Sequence, residues 1–106
     1  MPKYLLEVSY TADGARGLQK DGGTKRKKAA QSLIESLGGK LEALYFMFGS
    51  SDVIAVAEMP DSASIAAASI ALAASGAVTS KTTVLLTPEE IDQASKKSAS
   101  YTPPGR

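Results

Sequence analysis

The stretch from Leu41 to Glu58, LEALYFMFGSSDVIAVAE, constrains the fold most. It reads as two strands folded back on each other through Gly49-Ser50-Ser51-Asp52, a run of glycine and small polar residues that marks a chain reversal. In the first strand, Leu41, Ala43, Tyr45 and Met47 alternate with Glu42, Leu44, Phe46 and Phe48. From Ala43 onward both sets are apolar, and Val53 to Ala57 is apolar on both sides as well. Successive strand side chains point to opposite faces. A hairpin of this composition therefore asks for cover on both faces of its sheet, whereas a half-solvated antiparallel sheet alternates more cleanly. Met59-Pro60 ends the second strand, because proline has no N–H to give the ladder.

The flanking chain supplies one layer of that cover. Tyr4, Leu6, Val8 and Tyr10 alternate with Leu5, Glu7 and Ser9, the period of a strand. Thr11 is placed to cap a helix over residues 12–21, a weak one because Gly14 and Gly17 each cost about 1 kcal/mol relative to alanine. Gly22-Gly23 predicts a break. From Thr24 the pattern is clearly helical, with Ala30, Leu33, Ile34 and Leu37 on one stripe and Gly38-Gly39 as the stop. Four residues before Ala30 the stripe meets Arg26, so Arg26 leans toward the protein while Lys25, Lys27 and Lys28 splay to solvent. Asp61 caps a second helix that Gly76 closes. No charged residue occurs between Asp61 and Lys81, and a helix with no charged side is expected to have little free surface. Residues 77–86 alternate as a fourth strand. Thr87-Pro88-Glu89-Glu90 then starts a short helix running to about Lys97, with a threonine cap, proline at the first position and a glutamate three residues after the cap.

The order β-α-β-β-α-β predicts an α+β, ferredoxin-like domain: one four-stranded antiparallel sheet, two helices on one face and a short C-terminal helix. The domain is expected to span residues 1–97, with 98–106 as a flexible tail. Two helices cover one face only, so the apolar second face predicts an isologous homodimer or higher homo-oligomer.

Composition removes whole classes of chemistry. The chain has no cysteine and no histidine, so thiolate and imidazole metal sites, cysteine nucleophiles and histidine-based triads are absent. No metal and no cofactor is expected. Formal net charge is +1, which gives no global field for nucleic acid or an anionic membrane, and no apolar run reaches membrane-spanning length. A cytoplasmic location is the expectation.

The candidate ligand-binding residues are Arg26, Asp52, Tyr10, Tyr45 and Gly49. A guanidinium can clamp a carboxylate or phosphate through parallel hydrogen bonds. Its structural alternative is an ion pair with Asp52, Asp21 or Glu58. Asp52 is either an acceptor at a pocket mouth or a turn residue bonding nearby backbone, with Gly49 supplying a positive φ. Tyr4, Tyr10, Tyr45, Phe46 and Phe48 could line a cavity. Glu7 and Glu58 interrupt apolar faces and suit interface ion pairs or polar points in that cavity. The run Lys25-Arg26-Lys27-Lys28 reads as a solvated face.

These residues carry a family resemblance. The set comprises Tyr10-Thr11 with Gly14, Gly22-Gly23-Thr24-Lys25-Arg26, Leu37-Gly38-Gly39-Lys40, Phe48 to Asp52, Met59-Pro60-Asp61, Ser75 to Val78 and Thr82 to Leu85. From residue 2 to about 92 the chain resembles the GYD domain family of small bacterial proteins. The resemblance implies a fold like the dimeric ferredoxin-like α+β barrels and no assigned activity. One position departs from the pattern: Ser51 stands where the family's turn tyrosine is expected, so any hydroxyl chemistry there is absent or comes from Tyr45. Three functions follow as expectations: a homo-oligomeric small-molecule-binding protein, a cofactor-independent monooxygenase-like or isomerase-like enzyme, and a structural self-assembly component.

Overall fold

A computed structural model describes residues 1–106. Its elements run β1 (Lys3–Tyr10), α1 (Ala12–Asp21), α2 (Gly23–Ser36), β2 (Lys40–Phe46), β3 (Val53–Glu58), α3 (Ser62–Ala74), β4 (Val78–Leu85) and α4 (Pro88–Ser95). All strand pairs are antiparallel, and the sheet order is β2-β3-β1-β4. This is the predicted chain order, with the first helix divided in two.

Local chemistry accounts for the helix ends. Thr11, Asp61 and Thr87 each accept a hydrogen bond from a backbone N–H in the first turn of α1, α3 and α4. Thr87 and Glu90 form a reciprocal capping box, which satisfies two otherwise unpaired donors. Gly22 divides α1 from α2 with φ of +80°, a left-handed conformation that glycine adopts without steric penalty. The weak helix expected over residues 12–21 is a regular ten-residue one. Gly14 sits in its first turn because the chain approaches closely there: a Cβ would lie 2.0 Å from the Ala77 carbonyl oxygen. The last helix stops at Ser95, two residues short of the expected end.

The register sorts the two faces of the sheet. Tyr4, Leu6 and Val8 pair with Ala57, Ala55 and Val53 on one side and with Val84, Thr82 and Ser80 on the other. On that face α2 lies over β2 and α3 over β4. The core joins Tyr4 and Leu6 to Ala55 and Ala57, to Ile34 of α2, and to Ile65 and Ala68 of α3, with Met59 fully buried just beyond β3. Leu5, Ile54 and Val56 line the opposite face, which no helix of the chain covers. Lys3 bridges to Glu42 at 2.8 Å there, with Glu58 at 4.0 Å.

Two expectations need correction. The strict alternation read for residues 41–48 is interrupted by a register shift between Leu41 and Ala43. A bulge adds one residue to a strand, and everything beyond it changes face. Leu41, Leu44 and Phe46 therefore face the helices, while Ala43 and Tyr45 belong to the uncovered side. The charge-free α3 was expected to have little free surface. Within the chain it buries Ile65 and Ala68 and leaves Ile70 69% exposed.

Candidate functional site

The helix-covered face is solid at one end and hollow at the other. From Leu6 and Ile34 toward Tyr10 and Val78, the side chains line a partly open cavity of about 150 Å³. The sheet supplies its floor through Val8, Leu44, Val53 and Ala55. Its roof comes from Ala29, Ala30 and Leu33 of α2 and from Leu72 of α3. The hollow has a local cause. On α2 the inward stripe passes from Leu33 to Ala30 and then to Arg26, so small side chains and a cation stand where a globular core would put leucines. Of the 15 lining residues 14 are hydrophobic, which leaves Arg26 as the single charged group.

Arg26 sits at the mouth. Its side chain is 41% exposed, and its Nη1 lies 3.5 Å from Asp21 Oδ2. That separation exceeds the range of a strong charge-assisted hydrogen bond, so the ion pair leaves most of the fork's donors uncommitted. Burial pushes the Tyr10 phenol above its ordinary pKa. The adjacent Arg26 guanidinium opposes that shift without overcoming it, and the Asp52 charge adds to it. Tyr10 therefore stands at the mouth as a neutral hydroxyl, able to donate. Lys25, Lys27 and Lys28 are exposed around the half-buried Arg26, and Lys25 also pairs with Asp21 at 3.6 Å.

Asp52 does backbone work. Its Oδ2 accepts the Tyr10 backbone N–H at 2.8 Å, its own N–H donates to the Val8 carbonyl at 2.8 Å, and its carbonyl accepts from the Met47 N–H at 2.9 Å. These bonds tie the β2–β3 turn to the end of β1 and fix where Tyr10 stands. A second, more open groove of about 390 Å³ lies outside this point, between the α1–α2 junction and the turn. Tyr10 and Phe46 line both spaces, so they form the partition between groove and cavity. The Phe46 ring rests on Gly23, where a Cβ would come within 3.1 Å of it.

Three of the five predicted site residues are thus together: Tyr10 and Arg26 at the cavity and Asp52 beside Tyr10 in the groove. Tyr45 is not with them. The bulge in β2 turns it to the other side of the sheet, opposite Ile54, where it is 70% exposed. Gly49 is exposed in the turn and lines neither space, and its φ is not positive, so the conformational reason expected for a glycine there does not apply. Ser51, in place of the turn tyrosine, is buried. Tyr4 belongs to the solid core, Phe48 is fully exposed at the groove, and Glu7 and Glu58 are on the uncovered face. The roof of small residues, Ala29 and Ala30, was missed. Its sequence signal is the pair of alanines between Arg26 and Leu33 on the inward stripe.

No cluster of acidic side chains suited to a metal ion is present, and no helix is long and apolar enough to cross a membrane. No curated protein matches the sequence. The crystal structure of MtbAldR shares the fold, with a TM-score of 0.55 at 20% identity. The match covers 81% of this chain and 52% of that one, so the chain spans about half its length. At that identity the likeness shows the α+β architecture alone. Residues 4–95 match the GYD domain, and the chain belongs to the GYD domain family.

Proposed function

We propose that this GYD domain protein binds a small molecule and works as a homo-oligomer. The observation that carries the reading is the apolar cavity of about 150 Å³ with one cation at its mouth. A pocket lined by hydrophobic side chains with few placed polar groups is the usual form of a small-molecule site. The neighbouring groups favour binding over acid–base catalysis: Asp52 holds a backbone amide, and the Tyr10 phenol, already protonated at neutral pH, is moved further from titration by burial. Oligomerisation is supported by the uncovered sheet face. Leu5, Ile54 and Val56 lie there with Tyr45, and an antiparallel sheet that packs both faces needs a second layer. A pair of such sheets face to face would give an arrangement like the dimeric α+β barrels.

The test is direct. Toluene should perturb the NMR methyl signals of Leu33, Leu44 and Leu72 and raise the melting temperature as its concentration rises, because a ligand that binds only the folded state stabilises it. Unchanged methyl signals at saturating toluene would exclude the cavity as a binding site. Light scattering should give at least a dimer, and replacing Val56 with lysine should dissociate it. A monomer at all concentrations removes the oligomeric part of the reading.

The outward side of α3 favours a second reading, self-assembly. Ile70 is exposed with Ala66, Ala71 and Ala73 on a helix without charges. If α3 is a contact, Ala71→Glu shrinks the particle seen by light scattering; an unchanged particle excludes it.

A further inference from the structure

We infer that the cavity takes an aromatic monocarboxylate, with its ring in the apolar interior and its carboxylate on Arg26 and Tyr10 at the mouth. The inference rests on the binding reading above and adds the class of ligand.

Three observations lead to it. The first is size. An apolar protein cavity of about 150 Å³ stays dry and accepts benzene, so a single six-membered ring fits this one, which has about the same volume. A long acyl chain or a fused ring system would extend out through the mouth. The second is polarity. The interior offers no polar partner to a ligand's ring substituents, while the mouth offers a charged guanidinium. A ligand with one apolar end and one anionic end satisfies both, and a polar group anywhere else on it would be buried without a partner. The third is the state of the two donors. Arg26 is held only loosely, with Asp21 3.5 Å away, and the Tyr10 side chain lines the same mouth as a neutral phenol. A carboxylate accepts from both, in place of the contact between the Arg26 guanidinium and the Tyr10 phenol, and the ion pair it forms is charge-assisted.

Asp21 is then a competitor: its carboxylate vies with the ligand for the guanidinium, which keeps affinity moderate. Cations are disfavoured, since an ammonium at this place would face Arg26. Access runs through the mouth at Arg26, and Tyr10 and Phe46 separate the bound ring from the outer groove.

The experiment compares benzoate, toluene and benzylamine on the full-length protein by calorimetry, with methyl NMR as the readout for toluene. Benzoate is expected to bind most tightly and benzylamine not at all. Arg26→Gln should weaken benzoate roughly tenfold or more, the scale of a charged hydrogen bond, and leave toluene unchanged. Asp21→Asn should tighten benzoate several-fold, again without effect on toluene. Toluene binding with no preference for benzoate overturns the anion assignment and leaves the binding reading standing. Benzoate affinity unchanged in both Arg26→Gln and Asp21→Asn overturns it as well. Failure of both toluene and benzoate overturns the binding reading itself.

Discussion

The two ends of the helix-covered face differ more than their sequences suggest. At the Tyr4 end, Ala57, Met59 and Ala68 are completely buried, and Gly39 lets the chain after α2 come down onto Met59. At the Tyr10 end, the same two helices and the same strands leave a hollow. Alanines recur at both ends, with Tyr4, Ile34, Met59 and Ile65 at the solid one and valines and leucines around the hollow. The difference is where the one flexible, volume-filling side chain stands. Met59 fills the gap between α2 and α3 at the first end, whereas at the second end the equivalent space falls under Ala30 and Arg26. The solid end is therefore the source of stability and the hollow end the candidate site, and substitutions should separate the two.

The largest effect is expected from Met59→Ala. Removing a fully buried methionine at the solid end should cost about 2–5 kcal/mol in urea unfolding, through lost burial and the void left behind. A cost below about 1 kcal/mol would mean that this end is not well packed. Next comes Gly39→Ala. The added Cβ would lie 2.4 Å from Met59 Sδ and 2.5 Å from the Glu58 carbonyl oxygen. The sulfur can move but the backbone oxygen cannot, so overpacking should cost about 1–3 kcal/mol. The hollow end should respond in the opposite way. Ala30→Leu adds atoms into empty space, so its stability should stay within about 1 kcal/mol of the wild type while toluene binding is lost. A strongly destabilised Ala30→Leu would show that no usable hollow exists.

The smallest effect is a matter of pH. Tyr10 has a folded pKa raised by burial, so the folded state holds its proton more tightly than the unfolded state. Its contribution is fully present below the ordinary tyrosine value of 10.0 and is lost as pH rises through the higher folded value. Tyr10→Phe should flatten the part of the alkaline stability loss that Tyr10 contributes, with the lysine background common to both proteins. Identical alkaline limbs would place Tyr10 in a more solvated setting than the structure gives it.

Much of the fold was legible because its signals are local. The strand alternation of Tyr4 to Tyr10, the caps at Thr11, Asp61 and Thr87 and the break at Gly22-Gly23 each depend on residues within a turn or two. The inward lean of Arg26 was legible for the same reason, since four-residue helical spacing places it on the Ala30 stripe. The position of Tyr45 was not. One extra residue between Leu41 and Ala43 reverses the face of all that follows, and nothing in LEALYF marks the bulge. The cavity was not legible either. It is defined by what Leu72 of α3, Val8 of β1 and Ala30 of α2 fail to fill, and these residues meet only in three dimensions.

The sequence alone therefore determined the order of elements and their ends, because hydrogen-bond caps, glycine breaks and side-chain period act over a few residues. It also determined that one sheet face would lack cover, because two helices cannot shield both. Only the tertiary structure decided which aromatic stands at the site, which carboxylate is tied to backbone and where the core is hollow. Those outcomes depend on the strand register and on packing between distant segments, and a shift of one residue or the loss of one large side chain changes them.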